Sequence, residues 1–111
     1  LFSAHGIPMR LVAKGDTYPT QIERNQKTIT AYLQKNGYHG ETYLSYQSRV
    51  GPTKWTSPST IDMIRELGKK GVKRLAIYPI SFVSDHLETL EEIGCQLREI
   101  ALESGITEYY R

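Results

Sequence analysis

The chain holds one cysteine in 111 residues, Cys95, so no internal disulfide can form and no Cys-rich zinc or iron–sulfur site can be built. Clustered basic residues are missing too. The net charge is +2, with Lys and Arg scattered along the chain rather than massed, which argues against a nucleic-acid partner. No apolar run approaches the roughly 20 residues that cross a bilayer, and no signal-peptide pattern opens the chain. The phosphate-cradling G-x-x-x-x-G-K-[ST] loop and the dinucleotide fingerprint G-x-G-x-x-G are both absent, leaving nucleotide binding unsupported. There is no G-x-S-x-G nucleophile elbow.

What is present is an alternation of strand-like and helix-like segments. Leu1 to His5 reads as a short apolar strand, followed by a Gly/Pro-punctuated loop to Tyr18. Because the chain opens inside a strand, it reads as a piece of a longer protein. Pro19 suits a first helical turn, Ile22, Ile29 and Leu33 recur at helical spacing, and Asn36-Gly37 is a stop. Glu41 to Gln47 is β-rich, and Ser48 to Ser57 is a loop. Ser57-Pro58 predicts the next helix start, as an N-cap followed by Pro at N1. Ile61, Ile64 and Leu67 supply its buried stripe, and Gly71 its end. Lys73 to Pro79 predicts a third strand, a last helix runs from about Asp85 to Ser104, and Ile106 to Tyr110 suggests a short fourth strand. Such alternation predicts one α/β domain over residues 1–111, a three-layer α/β/α doubly wound parallel sheet of about four strands with right-handed crossovers.

That topology gathers the loops after the strands on the carboxyl edge of the sheet, where ligands bind in open α/β folds. The loops leave from His5, from Gln47-Ser48 and from Ile80-Ser81. Three constellations fall there. On the last helix, Leu90, Ile93, Leu97, Ile100 and Ala101 share one face and Asp85, Glu88, Glu92, Glu99 and Glu103 the other, at about 100° per residue. The ordinary reading is a solvated acidic face favoured by the helix dipole; the alternative is a carboxylate track that leads a cation inward. His5 can be a core residue or, at a strand's carboxyl end, a base or ligand. His86, near the apolar side of the helix start, packs or orients a neighbour, and His39 reads as an exposed turn residue. Trp55, beside Lys54 and Arg49, either caps the core edge or receives a flat anionic ligand.

Four segments in register carry a resemblance: Ser3-Ala4-His5-Gly6-Ile7-Pro8; Gly15-Asp16-Thr17-Tyr18; Tyr46-Gln47-Ser48-Arg49-Val50-Gly51-Pro52 with Trp55; and Pro79-Ile80-Ser81-Phe82-Val83-Ser84-Asp85-His86-Leu87-Glu88-Thr89-Leu90. Together they resemble the C-terminal domain of ferrochelatases, enzymes that insert ferrous iron into a porphyrin in haem synthesis. Thr17 stands where the family commonly has Pro, and Arg49 where it has Lys. The resemblance implies His5 and Glu88 as catalytic residues; His5, Glu88, Glu92 and Asp85 as the metal set; and Tyr18, Gln47, Ser48, Trp55 and His86 around the porphyrin. It implies Fe2+ as substrate metal, with no iron–sulfur cluster expected. The partners expected are the porphyrin and an N-terminal domain of the same parent chain, without which the isolated piece is expected to be inactive. A cytoplasmic, bacterial-type location follows from the resemblance, with peripheral membrane contact of the parent left open. Two alternatives stand beside it. One is a chelatase that inserts cobalt or nickel into another tetrapyrrole. The other is a non-catalytic, receiver-like binding module, which would want Asp where this chain has His5.

Overall fold

A computed structural model describes residues 1–47, 54–80 and 93–111. Its elements run β1 (Phe2–His5), α1 (Met9–Ala13), α2 (Tyr18–Lys35), β2 (Leu44–Gln47), α3 (Thr60–Lys69), β3 (Arg74–Ala76), β4 (Tyr78–Pro79), α4 (Leu97–Glu103) and β5 (Glu108–Tyr110). Among the described residues these strands pair in parallel: β2-β1-β4 form one sheet and β3-β5 a second. The expected third strand, Lys73 to Pro79, is therefore two strands. It changes partners at Ile77, whose N–H donates to the Tyr110 carbonyl at 2.8 Å, whereas the next N–H, of Tyr78, donates to the Leu1 carbonyl at 2.9 Å. The segment thus joins the two sheets.

Alternation along the strands explains the layering, since successive side chains point to opposite faces. Ala4 and Tyr46 pack with Ile22 of α2 on one face. Ser3 and Ser45 reach Thr60 of α3 on the other. On the α3 side, Ile64, Leu67, Leu75, Ile77, Ile93, Leu97, Ala101 and Ile106 form the larger core. Helices thus cover both faces, the α/β arrangement expected from the sequence. Ile61, Ile64 and Leu67 behave as the predicted stripe, with Ile64 and Leu67 fully buried and Ile61 packed at the margin.

Three local expectations are corrected. The stretch before Tyr18 is not all loop, because Met9–Ala13 forms a short helix. α3 does not start at Ser57-Pro58. That peptide bond is cis, and the cap is Ser59, whose hydroxyl accepts from the Asp62 N–H at 3.1 Å. The Pro58 carbonyl is already taken by the Tyr46 N–H at 2.9 Å, so β2 holds this segment extended and delays the helix. The last helix is not uniform: residues 93–96 make a wider, π-helical turn before α4. A constant 100° per residue therefore fails across it. The stretch 85–92 of that expected helix lies outside the described residues.

At the amino end of the sheet lies a cavity of about 610 Å3, walled by Glu41, Thr42 and Tyr43 on one side and Arg74, Leu75 and Ala76 on the other. It borders Leu1 and Phe2, at the start of β1, whereas His5 stands at the end of that strand.

Candidate active site

β1 and β2 run in register, with His5 opposite Gln47 at their carboxyl ends. The Gly6 N–H donates to the Gln47 carbonyl at 2.8 Å, extending the ladder one step past the histidine. Beyond it, the chain folds back: the Met9 N–H donates to the Lys54 carbonyl at 2.8 Å, and the Thr56 N–H to the Ile7 carbonyl at 2.9 Å. This antiparallel bridge pairs Pro8 with Trp55. His5, Gln47 and Trp55, distant in sequence, are thereby brought to one edge.

The His5 ring is half-buried, and its Nδ1 lies 2.8 Å from the Gly6 carbonyl oxygen. A carbonyl can only accept, so we assign the proton to Nδ1. In the neutral ring the lone pair then resides on Nε2. The His5 carbonyl accepts from the Tyr18 hydroxyl at 2.8 Å.

Beneath this edge runs a chain of buried hydroxyls that the sequence reading missed. Ser3 Oγ lies 2.6 Å from Gln47 Oε1 and 2.7 Å from Thr60 Oγ1, which is 2.8 Å from Ser45 Oγ. The Gln47 oxygen must accept, so Ser3 donates to it, Thr60 donates to Ser3, and Ser45 donates to Thr60. All four residues are buried. One signal for it lay in the sequence: Ser3, Ser45 and Gln47 sit at alternate positions in otherwise apolar strands, which puts them on one face.

This chain turns the Gln47 amide so that its oxygen points inward. Among the described residues, the buried side-chain donors without an acceptor are Gln47 Nε2 and Trp55 Nε1. An unmet buried donor costs on the order of 1–3 kcal/mol, and both belong to residues at this edge. Tyr46 faces the other way, and desolvation first, then the nearby Glu23 and Tyr18, push its hydroxyl up to about 12. It stays protonated and takes no part in acid–base chemistry near neutrality.

Of the expected site residues, His5, Tyr18, Gln47 and Trp55 lie in the described structure; Tyr18 is hydrogen-bonded to His5, and Gly6, next to His5, to Gln47. Ser48, Asp85, His86, Glu88 and Glu92 lie outside the described residues. Among the described residues no cluster of three or more His, Cys, Asp or Glu side chains could hold a metal, so His5 is the candidate ligand the structure positions. Glu99 and Glu103, on the acidic face of α4, are exposed, which is the solvated-face reading of that half of the helix. Among the described residues no helix is long and apolar enough to cross a membrane.

The Ferrochelatase family model matches residues 1–111, the whole chain. The chain belongs to the ferrochelatase family. Similar curated proteins include the ferrochelatase of Leptospira borgpetersenii serovar Hardjo-bovis (strain JB197), 60% identical over 111 residues. The ferrochelatase of Leptospira biflexa serovar Patoc (strain Patoc 1 / Ames) is 56% identical over the same length. Both alignments cover 100% of this chain and 30% of the relative. Ferrochelatase-2, chloroplastic, of Oryza sativa subsp. indica is 50% identical over 99% of this chain and 21% of its own length. The chain thus spans less than a third of the length of the ferrochelatases it matches.

Proposed function

We propose that the protein carrying this chain inserts Fe2+ into a porphyrin, and that this chain supplies the histidine side of the reaction. The observation that carries the reading is His5 at the carboxyl end of a parallel strand, with Nδ1–H bonded to the Gly6 carbonyl and the lone pair on Nε2. Family membership and the names of the relatives support the substrate class.

Metalation exchanges two pyrrole protons for one Fe2+ ion, so the site must accept protons and deliver a metal that has shed its other ligands. A neutral imidazole can do either. As a base, Nε2 takes a pyrrole proton, and the imidazolium is stabilised by a nearby carboxylate; Glu88 is that partner in this proposal. As a ligand, imidazole with carboxylates makes a site weak enough to release Fe2+, where thiolates would retain it. Asp85 and Glu92 join the metal path in the same proposal. Ser48, Trp55, His86 and Gln47 belong to the porphyrin wall, and the unmet donors on Gln47 and Trp55 support contact with a ligand that carries acceptor atoms. The porphyrin and the remainder of the parent chain are the partners, because so much of the relatives' length lies outside these residues.

The test follows porphyrin absorbance anaerobically in the full-length protein, wild type and His5→Ala, with Fe2+ and Co2+ in competition. The reading expects Fe2+ incorporation that disappears in the variant. Near-normal turnover without the imidazole would sink it, and a strong preference for another ion would move it to a different tetrapyrrole chelatase.

A further inference from the structure

Resting on the chelatase reading, we propose that Tyr18 is a positioning residue for His5, and that Gly15-Asp16-Thr17-Tyr18 is the device that delivers its hydroxyl. Tyr18 was expected to border the porphyrin. Its O–H donates to the His5 main-chain carbonyl at 2.8 Å. That carbonyl belongs to the peptide whose N–H, on Gly6, donates to the Gln47 carbonyl at 2.8 Å. The His5–Gly6 peptide is therefore held at both ends, by α2 from one side and β2 from the other. The next carbonyl, on Gly6, accepts from the imidazole Nδ1. The ring is thus anchored to a backbone that Tyr18 helps to fix.

The preceding residues account for how a tyrosine reaches this place. α1 ends in a reversal at Gly15, whose φ of +99° suits glycine. The Gly15 N–H donates to the Val12 carbonyl at 3.0 Å and the Asp16 N–H to the Leu11 carbonyl at 3.1 Å. Asp16 Oδ1 then accepts from the Tyr18 N–H at 2.9 Å, which satisfies a donor of the first turn of α2 and fixes where that helix begins. The Tyr18 ring packs against the Ala4–Ile22–Tyr46 cluster. Turn, cap, ring and hydroxyl form one continuous path from α1 to His5.

A residue that holds a catalytic group in place is expected to affect turnover more than binding. In the full-length protein, Tyr18→Phe keeps the packed ring and removes the hydroxyl. We expect kcat for porphyrin metalation to fall about five- to tenfold, with KM for porphyrin unchanged within about twofold. Asp16→Ala should show the same kcat-selective loss, and Asp16→Asn, which retains the Oδ1 acceptor, should recover it. An unchanged kcat in a folded Tyr18→Phe protein overturns the assignment. So does a raised KM at constant kcat, which would make Tyr18 a substrate contact. Should Tyr18→Phe not fold, equal kcat in Asp16→Ala and wild type overturns it. His5→Ala run in parallel separates the two levels: metalation without the imidazole defeats the chelatase reading, whereas loss in His5→Ala beside full turnover in Tyr18→Phe defeats the positioning role alone.

Discussion

Gly68 of α3 and Ser104, at the end of α4, pack so closely that a side chain does not fit between them: a Cβ on Gly68 would stand 2.3 Å from the Ser104 carbonyl oxygen and 2.8 Å from its Cβ. The obstacle is main chain, which cannot swing aside. Gly68→Ala should therefore force the helices apart and destabilise the fold by about 1–3 kcal/mol, despite the better helix propensity of Ala. Urea titration of the full-length protein would measure it. A neutral or stabilising result would mean that the helices do not meet here.

The start of α3 offers a sharper test of local structure. Ser59→Ala removes the oxygen that accepts from Asp62 N–H and should cost about 1 kcal/mol. Ser57→Ala, at the residue the sequence pattern favours, should cost much less, because Ser57 is exposed and lies ahead of the cap. Comparing the two midpoints in one denaturant series decides which serine caps.

Thr60 tests the buried hydroxyl chain. Thr60→Val keeps the shape and leaves Ser3 and Ser45 without their shared partner. The expected loss is on the order of 1–3 kcal/mol, and Thr60→Ser should restore most of it. Equal stability of the Val and Ser variants would show that the hydroxyl contributes nothing.

Alkaline pH should weaken the fold through its buried tyrosines. Burial raises the Tyr46 hydroxyl to about 12 from an ordinary 10.0, and raises Tyr109 as well. The folded state therefore keeps protons that the unfolded chain loses first. Stability is little affected by these groups well below pH 10 and falls as pH rises towards 12, by at most about 1.4 kcal/mol per pH unit for Tyr46 alone. Stability measured at pH 8, 10 and 11 should show the decline, with a shallower slope in Tyr46→Phe. Identical slopes would place Tyr46 in water.

Long-range organisation was legible because it rests on periodicity. Ile61, Ile64 and Leu67 at helical spacing predicted the buried stripe of α3, and parallel topology then predicted that His5 and Gln47 share an edge. What escaped depends on competition for individual hydrogen bonds. Ser57-Pro58 is a good helix start in isolation, but β2 takes the Pro58 carbonyl. Lys73 to Pro79 is uniformly strand-like, and nothing in its composition marks Ile77 as the point where neighbours change. At the candidate site, position left His5 open between a core residue and a base or ligand, and the resemblance singled it out. The bond that sets its proton reaches only the next residue, whereas those that fix its backbone join Tyr18 to His5 and Gly6 to Gln47, and no local pattern encodes them.

The bond from His5 Nδ1 to the Gly6 carbonyl has a genetic consequence. Its acceptor is main chain, which every amino acid carries, so no single codon change at position 6 deletes it. The placement of the imidazole proton is thereby insulated from side-chain drift at that position. It stays exposed only to changes that displace the peptide itself, and those enter through the residues that grip it.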